Sequence, residues 1–263
     1  MYLSPDRLAL ANQAVIETFE NTSVAWQVIP HWDTGDPTQT GVPDDDVNAA
    51  APGVLPLVDQ SEELVVTLAT ACGDSVDPLL NKVAAATGVL AAKVDEAVIW
   101  ALRTKSANVT LDYSTPDTIL DDLIDARATV EKEGFRAPSC LLTDTKGIKK
   151  LSQLSTGYGP SILNSLLDAA NINSLHRVEV LENPKPPPKD PARAIMLGRR
   201  QRISHGGAAD ASPGEEPVDL AVSVPPSLEL VGEKGDNKIA FTVRIRYALR
   251  VKDSGSLVTL QQP

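Results

Sequence analysis

With 263 residues, 42% of them hydrophobic, the chain has material for one large or two modest packed domains and does not belong to the disordered class. Aromatic residues make up only 4%, so the core must be built from Leu, Val, Ile and Ala, with few flat rings to stack bases or grip a cofactor. The net charge of −11 is unevenly divided: residues 1–131 carry 6 cations and 21 carboxylates, the remainder 18 and 14. Between Arg7 and Lys82 there is no Lys or Arg, which argues against phosphate binding there, because neutralising a nucleic-acid backbone requires cations. This acidic half is either an ordinary solvated surface or one that meets basic surfaces on a partner or another copy.

The first helix opens at Ser4-Pro5-Asp6, with Leu8, Ala11, Val15 and Phe19 at helical spacing. It cannot bury its apolar stripe alone and has to dock on the body or on a neighbour. From Trp26 to about Gly53 helix periodicity is absent and the chain is rich in Thr, Gly, Pro and Asp. Two β-like runs follow, Val54–Val58 and Leu64–Leu68, separated by the polar segment Asp59–Glu63. A long loop or extended hairpin is the economical reading, and such a hairpin is marginal in water unless something else holds it.

Asp77-Pro78 starts a helix in which Leu79, Leu80, Val83, Ala86, Leu90, Val94, Val98 and Ala101 recur to about Arg103. Helices of this length act as spines. A second helix is predicted from Thr118 to about Glu133, ended by Gly134, followed by a short strand at Cys140–Leu142. Short helices are expected around Lys146–Leu154 and Ser161–Ala170, and strands at Arg177–Leu181, Ala194–Leu197, Val218–Val222 and Leu228–Leu230. The polyproline run from Asn183 to Lys189 reads as an exposed loop, and Gly206–Gly214 as a flexible one. Interleaved strands and helices indicate an α+β or α/β arrangement.

The plainest signal lies near the end of the chain. Ile239, Phe241, Val243, Ile245, Tyr247, Leu249 and Val251 are apolar at every odd position, while Thr242, Arg244, Arg246, Arg250 and Lys252 occupy even ones. This is period two over far more than the usual strand length, and it predicts one long strand with a core face and a cationic face.

No catalytic motif emerges. His31, His176 and His205 sit in no nucleophile-activating context, Gly157-Tyr158-Gly159-Pro160 lacks the third glycine of a dinucleotide fingerprint, and Asp144-Thr145-Lys146-Gly147 is not a phosphate loop. Asp33, Asp36, Asp44, Asp45 and Asp46 do not match EF-hand spacing, so a solvated acidic loop and no metal is expected. Arg199-Arg200-Gln201-Arg202 reads as an ion-pair donor between subunits or a solvated turn, in preference to a nucleic-acid contact. Cys72 and Cys140 have neither zinc-site nor disulfide spacing, which points to a reducing compartment. The N-terminus lacks a signal-peptide pattern and no apolar run reaches the roughly 18 residues a membrane span needs, so a soluble, cytoplasmically made protein without catalytic residues, cofactor or membrane contact is expected.

The order of elements, including the spine segment Ala91-Ala92-Lys93-Val94-Asp95-Glu96-Ala97-Val98-Ile99-Trp100 and the closing run from Ile239 to Asp253, resembles the major capsid proteins of tailed phages with the HK-type fold, shared with encapsulins. That resemblance implies an α+β fold with an N-terminal arm (1–23), an extended loop (24–70), a peripheral domain with the spine helix (71–135), an axial domain (136–224) and a peripheral C-terminal strand (225–263). It further implies self-assembly into pentamers and hexamers of an icosahedral shell around double-stranded DNA, with scaffolding, portal and decoration proteins as possible partners and the virion, assembled in the host cytoplasm, as location. An encapsulin shell holding a cargo enzyme is the alternative within the fold, and a soluble α/β enzyme or binding domain the alternative outside it. Under the resemblance the loop lies on a neighbour, with Asp44, Asp45, Asp46, Glu62 and Glu63 facing the Arg244, Arg246 and Arg250 side of that neighbour's strand. Two features depart from some relatives. The loop has no lysine for covalent crosslinking, so cohesion is expected to be non-covalent. There is also no long charged N-terminal extension, so a separate scaffold or none is expected.

Overall fold

The computed structural model describes residues 4–152, 163–182, 192–199, 216–235 and 237–262. In chain order the elements are α1 (Pro5–Thr22), α2 (Val24–Val28), β1 (His31–Asp33), β2 (Gly41–Pro43), β3 (Val54–Pro56), β4 (Val58–Thr67), α3 (Leu68–Cys72) and α4 (Asp77–Lys105). They continue with β5 (Ala107–Thr110), α5 (Pro116–Lys132), β6 (Arg136–Thr143), α6 (Thr145–Leu151), α7 (Leu163–Ala169), β7 (Ile172–Arg177), β8 (Ala192–Arg199), β9 (Val218–Glu233), β10 (Lys238–Val251) and β11 (Leu257–Gln261). Two compact units result, Met1–Val98 with Asp219–Arg250, and Ile99–Val218 with Val251–Pro263.

The first unit carries a four-stranded sheet in the order β1-β9-β10-β4 and the small antiparallel hairpin of β2 and β3. β10 pairs antiparallel with the whole of β4, from Lys238 opposite Thr67 to Tyr247 opposite Val58. The polar segment Asp59–Glu63 is therefore part of a strand, because pairing with β10 satisfies its backbone. β9 is a single strand through Pro225-Pro226, joining two runs that read separately in the sequence.

Ser4 caps α1 by accepting from the Arg7 amide, and Ala11, Val15 and Phe19 are its buried stripe. Arg7, the sole cation before Lys82, donates to the carbonyls of Ala71 and Gly73, tying α1 to the end of α3. α2 was not legible as a helix. It is held from outside: Asp95 on α4 accepts from the Ser23 hydroxyl and from the Val24 and Ala25 amides, so a buried carboxylate serves as its N-terminal partner. Burial pushes the Asp95 carboxyl upward against those three hydrogen bonds.

The second unit is built on a five-stranded mixed sheet in the order β5-β11-β8-β6-β7. Its core combines Ile119, Leu123, Ala126 and Val130 of α5 with Leu141, Met196, Val258 and Leu260 from the sheet. α5 begins at a capping box of Thr115 with Thr118 and ends before Gly134, whose φ of +90° suits glycine.

One strand expectation is corrected. The strand read at Arg177–Leu181 is the end of β7 followed by a 3-10 turn at Glu179–Leu181, because the Val178 amide bonds to the Thr143 carbonyl and the chain turns there. α5 packs in the second unit, and the division between the units falls within α4, after Val98. The end of the chain returns as β11 to the second sheet, where it pairs with both β5 and β8. The Gly157–Pro160 turn, the polyproline loop, Arg200–Arg202, His205 and the Gly206–Gly214 stretch lie outside the described residues.

Each unit buries a tyrosine, Tyr113 in the second and Tyr247 in the first, and burial pushes both phenols up to about 12. An unfolded tyrosine releases its proton near pH 10, so between pH 10 and 12 the native chain binds more protons than the unfolded one. Stability is fully present below pH 10 and falls as pH rises through that window, by about 2–3 kcal/mol per tyrosine at most. Phenolate absorbance from these residues is expected to appear together with loss of circular dichroism, and Tyr247→Phe should raise the alkaline midpoint.

Candidate assembly surface

β10 is the element from which this surface is built. Ile239, Phe241, Val243, Ile245 and Tyr247 are buried, whereas Thr242, Arg244 and Arg246 on the other face are half-buried. The alternation then inverts. Ala248 is buried in a small cluster with Val42 of β2 and Ala221 of β9, against which Trp32, Leu55 and Leu57 pack. The hairpin covers the second face of the strand at this end, so Arg250, expected on an open cationic face, has a side chain only 8% exposed.

The three arginines are neutralised within the chain. Arg244 pairs with Glu229 on β9. Arg246 grips Asp59 of β4 through two hydrogen bonds of 2.8 and 2.7 Å and also donates to the Pro37 carbonyl. Its hydrogen bonds hold the Asp59 carboxyl below the usual carboxylate range. Arg250 donates from Nε and Nη2 to Asp219, both at 2.7 Å, and from Nη1 to Asp45 at 2.6 Å. Its guanidinium lies 4.9 Å from the centre of the Trp32 ring, and Trp32 Nε1 donates to Asp219 at 3.2 Å. Burial alone would depress the Arg250 guanidinium, but Asp219 and Asp45 outweigh it and raise it above the ordinary arginine range.

Among the remaining loop acids, the carboxylates of Glu62, Glu63 and Asp46 find partners in the first unit. Glu62 pairs with Lys93 of the spine helix at 2.7 Å, with Lys93 also reaching the Ser61 carbonyl, and Glu63 pairs with Lys234. Asp46 accepts from the Asn48 amide and shapes the tip of the hairpin, while the Asp44 amide bonds to the Gly53 carbonyl across its base. Asp45, Glu62, Glu63, Arg244, Arg246 and Arg250 thus each have a partner within the chain, whatever a neighbouring copy adds. The partners missed were Asp59, Lys93, Asp219, Glu229 and Lys234. Asp219 had a visible signal: a carboxylate inside the apolar run Val218–Val222 requires a buried cation.

What the hairpin leaves outside is apolar and acidic. Val47 and Val54 are exposed, Val54 by 75%, as is Val58 at the start of β4. Beneath it, Leu55, Pro56, Val58, Ala97, Val98, Tyr247, Ala248 and Leu249 line a shallow apolar hollow of about 280 Å³.

The residues weighed for chemistry have structural surroundings. His31 stacks on Trp26 with ring centres 3.8 Å apart, and burial lowers its basicity, as it does for His176 on β7. Asp144 caps α6 by accepting from the Gly147 amide and pairs with Arg193 at 2.8 Å. Asp33 and Asp36 close local turns. Among the described residues, no group of three or more His, Cys, Asp or Glu side chains is placed to hold a metal ion, and no helix is long and apolar enough to cross a membrane.

No protein-family model matches the chain, and no curated protein matches it in sequence. Solved structures do. The virus-like particle from Pyrococcus furiosus aligns with a TM-score of 0.70 at 14% identity, covering 97% of this chain and 98% of that one. The chain has the HK-type capsid fold. The same fold relates it to the holo-SrpI encapsulin complex from Synechococcus elongatus PCC 7942, with a TM-score of 0.61 at 13% identity over 92% of this chain and 88% of that one. A protein of Mycobacterium phage Che8 aligns at 0.54 with 12% identity, over 82% and 75%. At such identities few residues are shared, and what this chain's own sequence carries of the fold is patterning, in the period-two run of β10 and the spine spacing of α4.

Proposed function

We propose that this chain is the subunit of a closed protein shell assembled from copies of itself. The observation that carries this reading is the HK-type architecture over the full length of the chain, matching the Pyrococcus furiosus virus-like particle from end to end. The extended hairpin supports it: exposed valines on a structure that is marginal by itself are what a neighbouring copy would cover. In this reading the unit containing β10 is the peripheral domain and the five-stranded unit the axial domain, grouped in pentamers and hexamers. Cohesion is non-covalent, and the side chains do no catalysis.

The first reading of the contents is double-stranded DNA of a tailed bacteriophage, with scaffolding, portal and decoration proteins as partners and the virion as location. A second reading, an encapsulin shell around a cargo protein, is supported by the fold shared with the holo-SrpI encapsulin complex over 92% of this chain. Light scattering and electron microscopy of the purified full chain test the proposal. Closed particles are expected, and a chain that stays monomeric at all concentrations and ionic strengths overturns it. Native particles filled with DNA and bearing a tail vertex would select the phage, and particles filled with protein the encapsulin.

A further inference from the structure

The two carboxylates held by Arg250 are not equivalent. Asp219 is 5% exposed, receives two arginine N–H groups and the Trp32 indole N–H, and belongs to the sheet. Asp45 is 54% exposed, receives one N–H, and belongs to the hairpin just after β2. If Asp45 leaves, Arg250 and Asp219 remain a neutral, bidentate buried pair, so no uncompensated charge is left behind. If Asp219 is lost, a buried guanidinium keeps only a half-exposed partner. One leg of the clasp is thus permanent and the other releasable.

Beyond this ion pair, the hairpin is seated on its own sheet by the small cluster around Val42, Ala221 and Ala248 and by a long hydrogen bond of 3.5 Å from Arg250 Nη1 to the Pro43 carbonyl. We propose that Asp45 and Arg250 form a releasable latch that sets the posture of the hairpin against its own subunit, so that the hairpin can detach from the sheet while the rest of the unit stays folded. Its use in assembly rests on the shell reading; the latch itself does not. Asp45 has a φ of +51°, a left-handed conformation that asparagine also tolerates, so Asp45→Asn removes the charge without straining the backbone.

Hydrogen exchange of the full chain, followed by mass spectrometry, tests the latch. In D45N, amides of residues 41–56 should exchange about tenfold faster, while those of β4, β9 and β10 keep the wild-type rate. In Asp219→Asn, exchange should accelerate throughout the first sheet. Unchanged exchange in the D45N hairpin overturns the proposal, as does acceleration spread over the whole sheet as in D219N. A chain that forms no particles refutes the shell reading and leaves this measurement valid.

Discussion

Arg250→Ala is expected to destabilise the chain by about 3–5 kcal/mol, seen as a fall in the urea midpoint without a change in slope. The reason is what remains. Asp219 stays buried after the cation that gives it two hydrogen bonds is gone, and depriving a buried carboxylate of its cation is far more costly than the loss of a contact. The opposite manipulation separates the two effects. Replacing both members, as in Arg250→Met with Asp219→Leu, removes the charges together and should recover most of the loss, because a buried ion pair is often no better than apolar side chains of similar volume. A cost under about 1 kcal/mol for the single variant would mean that the pair behaves like a solvated surface bridge.

Phe241→Ala should produce a loss of similar size, about 3–5 kcal/mol, through a cavity in the first unit. Phe241 is fully buried and among the largest fully buried side chains described. Its neighbour Thr242 is half-buried on the other face, and Thr242→Ala should stay within about 0.5 kcal/mol of the parent. Urea unfolding of the two variants tests the alternation of β10 one residue at a time. Equal losses from both would show that the strand has no distinct core face at this point.

The contrast between these two positions also explains what was legible in the sequence. The core face of β10 could be read because alternation is a local property and the strand is long. The burial of Arg250 could not, because it depends on a hairpin more than two hundred positions earlier covering the second face through Val42. The spine helix was visible from its spacing, and the hairpin was visible as something needing support. The resemblance implies support from a neighbour, and the chain itself brings Lys93, Lys234, Arg246 and Arg250 to the acids of residues 24–70. β5 and β11 escaped for another reason: they are short, and they pair with each other in parallel across most of the sequence. Their only local mark was a few β-branched residues.

The sequence separation between β4 and β10 has a consequence for synthesis. A ribosome delivers the acidic hairpin early, but three of the four basic residues that bind its flanks, and the strand that pairs with β4, emerge 171 residues or more after their partners. Until β9 and β10 have emerged the hairpin has no complete sheet to rest on. A polypeptide that stops before β10 would have no means of seating the hairpin correctly. The order of the strands along the chain therefore makes the posture of an early segment depend on a late one.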